Sequence, residues 1–299
     1  MRTHYAHPID VLRKFKPTLD VGFLRDERYF GASDLEKIVA RIEEVEGEFD
    51  SETRNPQRMS RRGRAGDPAT WEMQEADLWR NQGGVKVWLD NMYVVPLDSP
   101  EGDALEIRVG RDDWRDITDD DRWELHPREG WVRIFSRYRR HIWRNVTRDR
   151  ILRTTYRHGA PGGDRQTPGQ TALSSNASAG DGQLEVDEPG RLPRGGPCLV
   201  GGEEYVRIER NDGSNPVEVT RGARGTEESE HDAGATVHYC TADVRSAVAA
   251  KTACELVRYD DVPEELPAPE GGVSHREKIE DWSEEFEKTK RRYAKVRNV

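Results

Sequence analysis

Apolar positions fall into several regimes along this chain. In GASDLEKIVARIEEVEGEFDSET (Gly31 to Thr53), Leu35, Ile38, Val39, Ile42, Val45 and Phe49 recur every three or four residues, which gathers them on one stripe of a helix. Ser33 followed by Glu36 is a capping-box pattern for its start. Then comes MSRRGRAG (Met59 to Gly66), which reads as a mobile Arg/Gly loop, and a Trp-bearing segment from Trp71 to Trp79 that suits a short helix. Beyond it the period changes to two. VKVWLDNMYVVPL, ALEIRVG, RWELHP, WVRIF and RILRTTYRHG alternate apolar with polar positions around the turn sequences SPEGD and PREG, and predict an antiparallel meander.

From Gly159 the stretch GAPGGDRQTPGQ is rich in Pro and Gly and reads as a hinge. GQLEVDE, GPCLVGGEEYVRIERND, PVEVTRG and ATVHY then predict a compact all-β unit of roughly 70 residues, close to the lower limit of what folds alone. TADVRSAVAAKTACELVRY returns to a helical pattern whose Ala content allows close packing, with Val244, Ala247, Val248, Lys251, Leu256 and Val257 largely on one face. After the breaker DDVPEELPAPEGG, the last segment places Ile279, Trp282, Phe286, Thr289, Tyr293 and Val296 in a narrow heptad seam on a charged helix. Such a seam on a terminal helix behind a linker predicts docking on a partner. The fold class expected is α+β: residues 1–159 as the N-terminal part of a helix and meander core, 160–240 as an inserted barrel or sandwich, 241–262 as a returning core helix, and 263–299 as linker and docking helix.

Composition adds charge to this picture. The 299 residues carry a formal charge of -10, with 9 Lys against 38 Arg, 34% hydrophobic and 35% charged residues. Scarce lysine and excess carboxylate suit a surface in concentrated salt, where self-repulsion is screened; a GC-rich genome would also produce them, and the halophilic reading is preferred. A dedicated nucleic-acid binder would be basic, so only local runs, MSRRGRAG and FSRYRRHIWR (Phe135 to Arg144), invite phosphate, and a protein partner suits the second better. Cys198, Cys240 and Cys254 share no metal-ligand or disulfide spacing. No apolar run approaches the ~18 residues of a membrane span, and no secretory signal core begins the chain, so a protein made and kept in a cytoplasm is expected.

One stretch concentrates candidate chemistry: RGARGTEESEHDAGATVHY, Arg221 to Tyr239. As a phosphate loop it lacks the lysine of the GxxxxGK[ST] pattern and runs into acids. As a metal loop it offers Glu227, Glu228, Glu230, His231 and Asp232 without the alternate spacing that hard cations need or the nitrogen and sulfur that zinc prefers. An elaborate turn fits best, with glycines supplying positive φ and His231 hydrogen-bonding within it. Elsewhere no GxSxG or HExxH occurs, and Asp112, Asp113 and Asp119 to Asp121 read as solvated loops. No catalytic, cofactor or metal residue is therefore assigned.

Ala172 to Tyr239 resembles a small β module of structural proteins from tailed viruses of bacteria and archaea. The likeness runs through an FPxxG-like turn (Leu192, Pro193, Gly195), an LxxGxE element (Leu199, Gly202, Glu203), and TRGxxGTxxxxHxxGAxV, matched by Thr220, Arg221, Gly222, Gly225, Thr226, His231, Gly234, Ala235 and Val237. The flanks are similar to head-tail connector (adaptor) proteins: an opening helix, a VTYTAG-like strand matched by Thr154, Thr155, Tyr156 and Gly159, and a helix matched by Asp243, Val244, Ala247, Ala250, Ala253 and Leu256. The β module departs from that family, being set between two elements that normally adjoin.

The resemblance implies a homo-oligomeric ring, about twelvefold, closed by heterologous contacts. It would sit in the virion neck between portal protein and stopper or tail-completion protein, pass viral DNA, and be assembled in the host cytoplasm. It implies no cofactor and no membrane. The seam residues Ile279, Trp282, Phe286, Tyr293 and Val296 would grip the portal, and the module would brace or decorate the outside. Another tail, baseplate or fibre protein is the alternative within virions, and a metal-dependent nuclease or processing enzyme the alternative outside them.

Overall fold

A computed structural model of the protein describes residues 4–15, 32–75, 84–110, 113–135, 151–159, 169–258 and 275–294. Its fold is mixed α+β. The described helices are α1 (Pro8–Phe15), α2 (Ala32–Thr53), α3 (Ala242–Arg258) and α4 (His275–Tyr293), and all strand pairings are antiparallel. Two compact units divide the chain, one containing the described residues up to Thr53 and from Gly169 onward, the other those from Arg54 to Gly159.

The second unit is built of antiparallel strands as expected, but among the described residues its strand order is not that of a meander. Strands β1 (Ser60–Arg62), β2 (Glu72–Gln74), β3 (Gly84–Trp88), β4 (Ala104–Arg108), β5 (Trp114–Asp116), β6 (Trp123–His126), β7 (Trp131–Phe135) and β8 (Leu152–His158) form two sheets. One runs β1-β8-β4-β5 with β2 also on β8, the other β3-β7-β6. Period-two burial is plain in β4 and β7, where Leu105, Ile107, Val132 and Ile134 are all fully buried. Two expectations are corrected. The arginine run holds an edge strand, because Arg61 reaches the Glu101 and Gly102 carbonyls and Asp103, while Arg62 pairs with Asp90. In place of a short helix near Trp71, β2 pairs with β8. The basic residues Arg137 to Arg144 lie outside the described residues.

The first unit joins the helices to the β module. Its strands β9 (Gln170–Ala172), β10 (Gln183–Leu184), β11 (Gly196–Val200), β12 (Glu204–Arg210), β13 (Val217–Thr220) and β14 (Thr236–His238) form one sheet in the order β10-β13-β12-β11-β14-β9. Helix α3 packs against α1, α2 and α4, and Ala247, Ala249, Ala250 and Ala253 at 0–1% exposure let those helices approach closely.

This overturns the expected domain plan. The β module is not a hinged insert, because Leu199 and Tyr205 lie in the same buried cluster as the helices; the segment set off as its own unit is the one expected as a meander.

The terminal seam is corrected as well. Trp282 and Phe286 are 6% and 0% exposed; Trp282 meets Phe15 edge-on with ring centroids 5.3 Å apart, and Phe286 meets Phe49 at 6.2 Å. Ile279 and Tyr293 flank the same core, and the Tyr293 hydroxyl donates to Asp243 at the start of α3. The stripe closes its own unit, so it is not an open docking face; Val296 lies outside the described residues. Salt bridges from Lys290 to Glu48 and Glu52 reinforce the fit of α4 on α2.

Candidate functional site

The 221–239 stretch is built around Glu204, where the LxxGxE spacing falls when counted from Leu199 and Gly202, one residue past the Glu203 matched to it. Glu203 is exposed, whereas its neighbour Glu204, the first residue of β12, has a fully buried side chain. Arg221, just past β13, reaches it with both arms of its guanidinium: Nε donates to Oε1 at 2.8 Å and Nη2 to Oε2 at 2.7 Å. The backbone N–H groups of Gly222 and Ser229 donate to the same carboxylate at 2.9 and 3.1 Å, and His231 Nε2 stands 3.0 Å from Oε2. Bidentate, charge-assisted bonds of this kind are the strong class.

Each further candidate has a place in this knot. Gly222 has φ of +60°, and a Cβ there would lie 3.1 Å from the Thr226 carbonyl and 3.2 Å from Glu228 Cγ, so a side chain would break the turn that aims its N–H at Glu204. Thr226 accepts from the Tyr205 N–H and donates to the Ala223 carbonyl. His231 pairs its backbone with Ala177 in both directions, and its ring lies over Gly201, where a Cβ would approach Nδ1 to 3.1 Å. Gly225 and Gly234 carry φ of +77° and +88° at the two ends. By contrast Glu227, Glu228, Glu230 and Asp232 are exposed and do not converge. Among the described residues no group of three or more His, Cys, Asp and Glu is placed to hold a metal.

A second polar cluster ties the module to α1, a helix too short for its apolar period to stand out in the sequence. Its signal is short but chemical: in HPIDVLRKF, Pro8 opens the helix and the Asp10 carboxylate reaches back to the His7 N–H at 3.1 Å, half of a capping box. Ile9, Leu12 and Phe15 are buried behind it. Asp10, 6% exposed, also accepts from the Tyr205 hydroxyl at 2.7 Å and from Arg224 Nη2 at 2.6 Å. Arg224 holds a left-handed φ of +55°, an arrangement that costs an L residue about 1–2 kcal/mol and that the Asp10 bond helps to offset. Burial raises the Asp10 carboxyl, but the Arg224 charge and the Tyr205 and Arg224 hydrogen bonds outweigh it, leaving the pKa below its ordinary value. Asp10→Ala is expected to lower the unfolding free energy by about 2–3 kcal/mol in urea titrations.

The remaining matched residues sit in the framework. Tyr156 on β8 is fully buried and donates to Glu72 on β2 at 2.5 Å; burial raises the pKa of both groups. Thr155 is fully buried, and Thr154 donates to the Ala104 carbonyl. Val244, Ala247, Ala250, Ala253 and Leu256 face the helical core. Cys198, Cys240 and Cys254 are free and buried, and burial raises each thiol above its ordinary range.

Acid should loosen this unit in two windows. Burial depresses His7 from 6.5 to about 4, so the unfolded chain binds the extra proton first and stability falls as pH drops from about 6.5 toward 4. Burial opposes ionisation of Glu204, but bonds from His231, Arg221, Gly222 and Ser229 prevail and hold it at about 2 against 4.5, so a second loss runs from about pH 4.5 toward 2. Thermal melts across this range should show both windows, and Glu204→Gln should shrink the lower one, leaving the part that Asp10 contributes.

Fold and clusters together define a mixed α+β protein with antiparallel sheets, whose buried ionisable groups brace turns and join its module to its helices. Among the described residues no helix is long and apolar enough to cross a membrane. Comparison with known proteins finds no matching family, no matching curated protein and no matching solved structure.

Proposed function

We propose that the chain is a structural subunit of the head-tail junction of a tailed DNA virus, a connector that closes into a ring between portal and stopper or tail and lets the genome pass. The supporting observation is where the resembling residues go. Arg221, Gly222 and His231 serve the Glu204 knot, Thr226 ties the Tyr205 N–H to the Ala223 carbonyl beside it, Tyr156 bonds β8 to β2, and the matched apolar positions of α3 face the core. Those are framework roles, suited to a subunit that works through shape. The charge of -10 fits a lumen to which passing DNA does not adhere. With the α4 seam buried inside the unit, a portal contact would fall on other surfaces.

Mass measurement in high and low salt, alone and with the portal protein of the same virus, tests the reading. A closed ring of many copies, or a portal complex of fixed stoichiometry, is expected. A persistent monomer that ignores the portal overturns it, and an elongated trimer would favour a fibre or baseplate part. The halophilic expectation predicts that the melting temperature rises with potassium chloride as self-repulsion is screened.

A further inference from the structure

One pocket in the first unit is far more basic than the chain as a whole. It has a volume of 360 Å³ and lies among α1, the turn at Ala223–Gly225 and the first turn of α3. Arg13, Lys14, Arg224 and Arg245 line it, against the single lining carboxylate of Asp10. Lys14 is engaged by Glu285 at 3.0 Å and by Ser246, and Arg224 by Asp10.

Arg245 differs from these. It is 7% exposed, and its guanidinium lies 5.8 Å from the centre of the Tyr205 ring, yet it makes no side-chain hydrogen bond or ion pair among the described residues. Its guanidinium nitrogens keep contact with solvent, so an anion entering the pocket would replace water on them. Position adds to this, since Arg245 stands in the first turn of α3, where the helix dipole disfavours positive charge and its N–H groups favour an anion.

We propose that this pocket binds the phosphate group of a small molecule, with the Arg245 guanidinium as its principal clamp and Arg13 as support. A planar guanidinium offers paired donors that match phosphate oxygens, and the helix start adds a field of the right sign. The volume sits at the lower end of the ~300–1,000 Å³ usual for small-ligand sites, room for a phosphate with a short organic part. The inference stands apart from the connector reading, because a monomer would bind phosphate as a ring would.

Calorimetric titration of the full chain with inorganic phosphate and with adenosine monophosphate, at constant ionic strength, provides the test. Wild type is expected to bind one equivalent saturably, Arg245→Gln and Arg13→Gln about tenfold or more weakly, and the exposed-site control Arg194→Gln like wild type. Phosphate should raise the melting temperature of wild type but not of Arg245→Gln, whose far-ultraviolet circular dichroism should match wild type. Equal affinity for both ligands would identify the free oxyanion as occupant, and tighter monophosphate binding an ester. The proposal is overturned by the absence of saturable binding, by an unchanged affinity in both pocket variants, or by binding of long duplex DNA alone.

Discussion

Glu204→Ala is expected to lower the unfolding free energy of the unit holding the β module by about 3–5 kcal/mol, the range for removing one partner of a buried ion pair. The side chains of Glu204 and Arg221 are 0% and 2% exposed, so deletion leaves a buried guanidinium without its bonded carboxylate, with only the more distant charges of Asp181 and Glu228 near it. Arg221 would keep the Ser178 and Ser229 carbonyls, while the Gly222 N–H would lose its acceptor. Since Tyr205, the next residue, carries the bond to Asp10, the damage should extend into the helices. Guanidinium unfolding followed both by tryptophan fluorescence and by helical circular dichroism checks this. A loss below about 1 kcal/mol would show that the carboxylate is not what holds the turn.

Phe286→Ala should cost a comparable amount, about 3–5 kcal/mol, through the cavity it leaves. Phe286 is fully buried, meets Phe49, and has the Lys290 ammonium 5.0 Å from its ring centre. Trp282→Ala should act in the same direction by stripping the edge contact to Phe15. Denaturation of the isolated chain separates core from docking stripe. A core residue unfolds the chain more easily whether or not a partner is present, whereas a docking residue would leave the free chain unchanged and weaken only its complex.

The legible and the hidden parts of this fold divide by sequence distance. Helix α2, strands β4 and β7, and helix α3 were readable because each is announced by neighbours within a few residues. Helix α1 was readable in principle from Pro8 and Asp10, but eight residues are too few for periodicity to stand out. At the candidate site, the pattern from Thr220 to Val237 drew attention to Arg221, Gly222 and His231, which meet at Glu204. The LxxGxE match named Glu203, although its spacing from Leu199 and Gly202 ends on Glu204, the one that the strand turns inward.

The sequence by itself determined the longer helices, the alternating strands such as β4 and β7, the change of character near Gly159, and the presence of a glycine-shaped turn, since all of these follow from local sterics and alternation. Tertiary structure alone decided that the β module belongs with the helices, that the α4 seam faces inward, and that Arg245 forms no ion pair among the described residues. Those outcomes depend on groups brought together across long stretches of chain, such as Asp10 with Tyr205, 195 positions apart. A stripe of apolar residues states that it must be covered, and only packing chooses what covers it.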